Sequence, residues 1–587
     1  MSEENEEYIS HICISDLHLG AGYNLLTNIV NYKEKVLDSN GKDLPVGSVI
    51  GERSIGNSAE TNRANPVLRE FSACLTEYLR QCKTADLLDT NNPPKLVLMG
   101  DVLELGLASH HDCAVAFRIF IRELFKGKEK LLSKEILFIP GNHDHHLWVI
   151  RRDQEFVNDL TSKTHEELPF LESITTMFEP ENSGELESEY LTKLIGSAEP
   201  ADNKRPISVK VKYPNFALRN DDWSKSVILH HGHYTDPQYS MVTSLAEFLF
   251  DQDPRTLRVG ELQTQNSGWV DFFWSSLGNQ ATPGKLYEIM QDSAASHKFI
   301  LELSDKIMDK YAQLIPAVGL GGLNIQTESI VTALLDATIG SAAEGERNSY
   351  SGILSENAIQ GLIWYLNDMV SRQWREEFKD WKKNQASSDC YPFKSDQITS
   401  DWTFIFGHTH KPFQDQIVVP NLQKPVKVFN TGGWTVDRPK MTPSIGASAV
   451  FISDKLNTVA LRLYNQPING AASKESNKVF VAGTGAKNDF FLEKMSKSLE
   501  KMSKSLGEMS IAVGKEPDSP GSAGWAGFSD EIDKAISLRV RIQQERNFPE
   551  LTPVSRAAEM PSRHDNSLGS VDSVTKSIED TAVAKEV

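Results

Sequence analysis

Phe138, Ile139, Pro140, Gly141, Asn142, His143 and Asp144 (FIPGNHD) decide the reading of this chain. Residues 136–139 are an apolar run of strand length. Pro140 and Gly141 end it abruptly. The residues that follow can each offer a ligand or a proton. An apolar strand, a sharp turn and polar groups at the strand's C-terminal end are how open α/β sheets build sites.

The pattern recurs four times. Residues 12–15 lead into Asp16 and His18, and residues 96–99 into Gly100 and Asp101. Residues 227–229 lead into His230, His231, Gly232 and His233, and residues 402–406 into Gly407, His408, Thr409 and His410. Each block alone is weak, since Gly and Asn favour plain turns. Five blocks in order, each after an apolar run, point to one shared site.

This ordered set resembles the calcineurin-like metallophosphoesterases. The family pattern is Asp-x-His, Gly-Asp, Gly-Asn-His-Asp/Glu, a His before Gly, and Gly-His-x-His. The blocks run from Asp16 to His410, although the motifs themselves fill little of that length. The resemblance implies an α/β fold of two facing mixed β-sheets flanked by helices. It implies two divalent metal ions, with Asp16, His18 and His410 on the first, Asn142, His231 and His408 on the second, and Asp101 bridging. Oxygen and imidazole donors without thiolate suit Mn²⁺ first, then Fe or Zn²⁺, rather than Ca²⁺. Two such ions roughly 3.5–4 Å apart can share a hydroxide that attacks phosphorus in line. His143 is not a ligand in the family, which leaves it as the acid for the leaving group. Glu104 stands where relatives in the phosphatase branch carry an acid that orients this histidine.

The expected function is therefore hydrolysis of a phosphomonoester or phosphodiester of unspecified identity. The alternative is a catalytically silent binding or scaffold protein that keeps the fold. Bacterial UDP-diacylglucosamine hydrolases share the pattern but carry Arg at the place of His143. The protein phosphatases continue Gly-Asp with Asp-Arg-Gly, which Val102, Leu103 and Glu104 do not match. His231 is chosen over His230 because the family's ligand precedes Gly, and strand alternation sends the two side chains opposite ways. His233 is left between a contact near the site and a surface position. Arg151 and Arg152 read as a solvated pair rather than phosphate contacts. Asn430 to Trp434 (NTGGW) reads as a structural turn.

At 587 residues the chain is long for one core, which predicts large insertions. A net charge of -19 argues against general nucleic-acid binding, which draws on basic patches. Five cysteines without a Cys-x-x-Cys argue against a disulfide framework and for a reducing compartment. The acidic, polar start does not resemble a signal peptide, and no apolar run reaches membrane-spanning length. A soluble, cytoplasmic protein is expected.

Strands are expected at 8–15, 95–99, 136–139, 207–213, 227–229 and 402–406. Three more, at 426–429, 448–452 and 458–464, are expected to complete the second sheet. Asn65 and Pro66 read as the cap and first position of a helix, and 114–124 as another. Residues 20–65 read as a loop insertion near the site and 179–189 as loop. Residues 1–465 form the expected catalytic domain, with 235–400 as an inserted helical cap. Its helices are placed at 300–314 and 359–381, with the aromatic stripe of the latter read as packing. Residues 466–587 read as a low-complexity, partly disordered tail with a short heptad repeat and one helix at 530–546. The seam at 492–509 is expected to fray or to self-associate weakly.

Overall fold

Alternate residues of the strands serve different cores. Ile12, Ile14, Leu96, Leu98, Ile136 and Phe138 pack outward against helices, whereas Cys13, Val97 and Leu137 pack inward against a second sheet. Ile228, Phe404, Phe406 and Val428 face outward from that second sheet, and Val227, Leu229, Ile405 and Phe429 face inward. Strands buried on both faces carry continuous rather than alternating apolar runs, which is why these segments read so clearly in sequence.

A computed structural model describes residues 6–30, 36–37, 64–162 without 107, 109 and 128, 171–178 without 172, 187–196, 206–250 and 256–276. It also describes residues 353–383, 392–394, 397–436, 441–466, 479–484, 489–512 and 524–547. Contacts divide the chain into units 1–542 and 543–587, and the architecture is that of the first.

In chain order the principal elements begin with β1 (Ile9–Ile14), α1 (Pro66–Thr84), β2 (Lys95–Leu98), α2 (His110–Phe125) and β3 (Glu135–Phe138). Next come α3 (His146–Ser162), α4 (Glu189–Gly196), β4 (Ser208–Val211), β5 (Asn215–Arg219) and β6 (Lys225–His230). Helices α5 (Met241–Phe250), α6 (Val259–Val270), α7 (Glu356–Trp364) and α8 (Ser371–Lys383) precede β7 (Asp401–Phe406). The chain then forms β8 (Phe413–Ile417), β9 (Val426–Asn430), β10 (Gly446–Ser453), β11 (Thr458–Asn465) and β12 (Phe480–Ala482). Helices α9 (Phe490–Ala512) and α10 (Gly524–Asn547) follow. Asn65 caps α1 by accepting from Leu68 N at 3.0 Å, and Pro66 opens it, as expected.

The fold is α/β with two mixed sheets. The seven-stranded sheet has the order β12-β11-β10-β1-β2-β3-β4, with β1 to β4 parallel to one another. The five-stranded sheet has the order β8-β9-β7-β6-β5, with β9, β7 and β6 parallel. Parallel strands end at the same edge, so β1, β2 and β3 of one sheet and β6 and β7 of the other bring their polar turns together.

The stretch 356–383 is helical throughout, with a π-helical turn at Tyr365–Val370 between α7 and α8. Its buried Leu362, Leu366, Met369, Val370, Trp374 and Phe378 cover the outer face of the five-stranded sheet. The aromatic stripe is packing: Trp374 lies edge-on to Trp223 at 5.1 Å, and its Nε1 donates to Ser226 Oγ at 3.1 Å. Replacing it by Ala should cost about 3–5 kcal/mol. The expected helix at 300–314 lies outside the described residues, as does most of the 20–65 insertion.

Several expectations are corrected. Residues 448–452 and 458–464 do form strands, but β10 pairs antiparallel with β1, so both join the first sheet; only β9 joins the second. The described segments 479–484, 489–512 and 524–542 belong to the folded unit rather than to a tail: β12 extends the seven-stranded sheet, and α9 and α10 pack on the same core. Met495, Leu499 and Met502 of the heptad seam are buried there, and Tyr78 of α1 donates to Met495 O at 3.0 Å. The described part of the seam packs on this chain's own α1; the side chains of 506 and 509 are outside the described set. A short seam becomes stable when an apolar face already waits for it. Strands β5 and β8 and helices α3 and α4 had no distinct signal in sequence, and Glu189 opens α4 where loop was expected.

Among the described residues no helix is long and apolar enough to cross a membrane. Cys13, Cys74, Cys82 and Cys113 are buried, free thiols; Cys390 lies outside the described residues.

Candidate metal centre

The turns after β1 and β2 are bonded to each other. Asp16 N donates to Gly100 O at 3.0 Å, and His18 N to Asp101 O at 2.8 Å. These turns, and the one after β7, hold non-glycine residues in left-handed backbone, which is uncommon even for Asp and His. Asp16, His18, Asp101, His408 and His410 have φ of 51°, 46°, 49°, 69° and 57°. Among the described residues eight non-glycine positions have positive φ, and these are five of them. Each costs of order 1–3 kcal/mol and persists only where surroundings over-determine it, a pattern typical of functional sites.

The glycines beside them are there for space. A β-carbon on Gly141 would collide with Asp101 Oδ1, and one on Gly407 with Asp16 Oδ2.

The side chains converge in three buried groups whose potential ligand atoms lie within 4.8 Å of one another. The groups are Asp16 with His18 and His410; His18 with Asp101 and His143; and Asp101 with His231 and His408. His410 Nε2 lies 3.3 Å from Asp16 Oδ1, and His18 Nε2 lies 3.1 Å from His410 Nε2. His231 Nε2 lies 3.2 Å from Asp101 Oδ2 and 3.0 Å from Asn142 Oδ1. Every acid and histidine foreseen as a ligand thus enters a group, and Asn142 joins through His231. His231 turns into the site, while His230 turns out beside Tyr365, ring centroids 4.7 Å apart.

Asp101 supplies the test of fit. Its Oδ1 accepts from His143 N at 2.8 Å. Its Oδ2 is buried with no hydrogen bond, 3.2 Å from His231 Nε2 and 3.8 Å from His18 Nε2. A buried carboxylate oxygen that faces only imidazole nitrogens needs positive charge beside it, from protonated imidazole or from a metal ion. It lies between the two histidine groups, where a shared cation ligand would sit. Burial raises the Asp101 carboxyl, but His231, His143 and His18 outweigh it and hold it well below the usual range. Burial likewise works against His231 carrying charge, yet Asp101 and Asp16 lift its pKa to about 9. The acids therefore demand positive charge, which a metal ion would supply by displacing protons.

Glu104 does more than expected. Its Oε1 accepts from His143 Nδ1 at 2.6 Å, and its Oε2 from His18 Nδ1 at 2.6 Å and from the Tyr23 hydroxyl. Burial raises its carboxyl, but His143 and His18 prevail and keep it ionised. One carboxylate thus fixes the tautomer of two rings. Asp144 is a structural acid: it accepts from the backbone N of Gly141, Asp101, Val102 and Leu103 at 2.6, 3.3, 2.8 and 3.2 Å.

Several participants were not legible in sequence. Tyr239 accepts from Asn142 Nδ2 at 3.1 Å, and Ser275 Oγ donates to Asn142 O at 2.6 Å. Thr435 Oγ1 lies 2.8 Å from His410 Nδ1. Asp236 Oδ2 lies 3.7 Å from His408 Nε2, and Trp274 stands edge-on to His143 at 5.8 Å. These are ordinary residue types; Asp236 and Thr435 lie close behind motif blocks and Ser275 and Trp274 far from them, and nothing in the chain marks any of them as a partner. His233 is not on the surface: it is buried, with Nε2 3.1 Å from the Tyr213 hydroxyl. Arg151 pairs with Glu155 but is buried rather than solvated as expected, and Arg152 pairs with Asp153. Asn430 shapes the turn beneath the site, donating to Gly407 O and accepting from Gly432 N, both at 2.8 Å.

No protein-family model matches this chain. No curated protein matches it either.

Proposed function

We propose that the chain is a dinuclear metal-dependent phosphoesterase of the calcineurin-like kind. The observation that carries this reading is Asp101, fully buried and shared by two of the three groups of acid and histidine donors, with Oδ2 facing His231 Nε2 and His18 Nε2. Asp16, His18 and His410 would hold one divalent ion, and Asn142, His231 and His408 the other, with Asp101 shared. The donor set suits Mn²⁺ best, with Fe or Zn²⁺ as substitutes. When bound, two such ions would supply Lewis acidity toward water and the phosphoryl oxygens.

The chain's own residues account for the rest. Asn142 is a neutral donor and limits the negative charge that a phosphate would meet. Glu104 holds His143 by Nδ1, so Nε2 is the atom that would give a proton to the leaving oxygen. Trp274 and Tyr239 flank His143 and His408 with aromatic surface, which excludes water from the reacting groups.

The test is a screen of the full chain, reconstituted with Mn²⁺, Fe²⁺ or Zn²⁺, against aryl and alkyl phosphate mono- and diesters. Hydrolysis that rises with metal to a plateau near about two equivalents is expected. Metal-free protein after reconstitution, or metal-replete protein silent on every ester, would overturn the reading.

A further inference from the structure

Arg539 lies on α10, in the stretch that sequence alone would set aside as tail, yet it is buried. Its Nε donates to Asn24 O at 2.9 Å, and its Nη2 donates to Thr27 O at 2.6 Å. Both acceptors are backbone carbonyls of the loop that follows the Asp16 and His18 turn. Burying a guanidinium is costly, and neutral carbonyls repay it less than a carboxylate would. For packing alone, an apolar side chain would serve at lower cost.

The loop it holds leads to the site. Tyr23, next to Asn24, donates to Glu104, and Glu104 fixes the rings of His18 and His143. The same loop is tied to the far side of the site: Leu25 N donates to Trp434 O at 2.8 Å, and Trp434 N donates to Asp16 O at 3.0 Å. Phe528 of α10 packs beside Trp434, ring centroids 6.3 Å apart, so helix and loop share one apolar support. Asn65 anchors the loop from the other direction, through Leu25 O and Thr27 O at 3.0 and 3.1 Å.

We propose that Arg539 is a positioning residue: by clamping the 24–27 carbonyls it sets Tyr23 against Glu104 and so fixes the orientation of His18 and His143. The inference deepens the metal-centre reading and rests on it for its functional consequence. It makes α10 a working part of the site.

The experiment uses the full chain and four variants: Arg539→Met, Arg539→Lys, Tyr23→Phe and Ile532→Val, the last at a buried core position of α10. Two readouts are taken. One is Mn²⁺ affinity by calorimetry. The other is the exchange rate of the His18 and His143 Nδ1 protons in metal-free, ¹⁵N-histidine-labelled protein. Partners behind a ligand histidine are typically worth 10- to 100-fold in affinity, so Arg539→Met, two contacts further out through the loop and Tyr23, should weaken Mn²⁺ binding by no more than about 10-fold. Both ring protons should exchange faster. Arg539→Lys should keep part of each effect, and Tyr23→Phe should reproduce the Met variant.

Ile532→Val thins the packing of the same helix and should lower the melting temperature with both readouts unchanged. If Arg539→Met and Ile532→Val behave alike on both readouts, Arg539 is only structural and the proposal fails. If Arg539→Met does not fold, Arg539→Lys set against Ile532→Val decides. If the unaltered chain binds no Mn²⁺, the phosphoesterase reading falls, and the metal-free proton exchange still decides the clamp.

Discussion

The two ligand groups are braced differently. Around Asp16, His18 and His410 the support comes from two side chains and one backbone N–H. Glu104 holds His18, Thr435 lies against His410, and both Asp16 oxygens accept from His408 N at 3.0 Å. Around Asn142, His231 and His408 it comes from backbone and from the helical insertion. His231 Nδ1 meets Met99 O at 3.0 Å, Tyr239 and Ser275 hold Asn142, and His408 Nδ1 has no hydrogen bond. The first group is thus preorganised by charge-assisted bonds, which are the stronger kind. The second depends on residues 236–276, the segment that also lines the site with aromatic rings. A substrate that shifts this segment would alter the second group before the first.

The largest effect should follow from removing what the groups share. Asp101→Asn should strip both ions and leave no measurable turnover, whereas Asp16→Asn should spare the second ion. Elemental analysis beside turnover on an aryl phosphate checks this, and near wild-type activity in Asp101→Asn would refute the shared role.

His143→Asn comes next and tests whether His143 belongs to the first group as a ligand. As a general acid it should cost about 10²- to 10⁴-fold on an alkyl ester. A nitrophenyl ester, whose leaving group needs no proton, should suffer less, with metal content unchanged. Equal losses on both esters would reduce His143 to a transition-state donor, and loss of metal would make it a ligand.

Glu104→Gln should then lower affinity at the first group by about 10- to 100-fold, because it loosens His18 and His143 together. Tyr239→Phe touches only the second group through a neutral bond, and its effect on metal affinity should stay below about 10-fold. Calorimetric titration of both variants checks the pair. A larger effect from Tyr239 than from Glu104 would reverse the contrast between the two groups.

The motifs were legible because the site is built at strand ends. A strand buried on both faces must be an apolar run, and the turn that stops it must be polar, so Ile12 to His18 and Phe404 to His410 announce themselves. Asn65 and Pro66 announced α1 for a similar local reason: a cap is written in adjacent residues. By itself, then, the sequence marked which residues could be ligands and their order, while the α/β class with two sheets came from the family resemblance that those residues carry. Only the tertiary structure decided which sheet received β10 and β11, since an apolar strand carries no address for its partner. Only it could turn the Lys- and Ser-rich seam at Met495 and Met502 into a core contact, because the waiting face lies on α1, more than 400 positions away. It also brought Arg539 to Asn24 and Tyr23 to Glu104. Bonds between ordinary residues so distant along the chain leave no local period or composition to read, and exist only once the fold has closed.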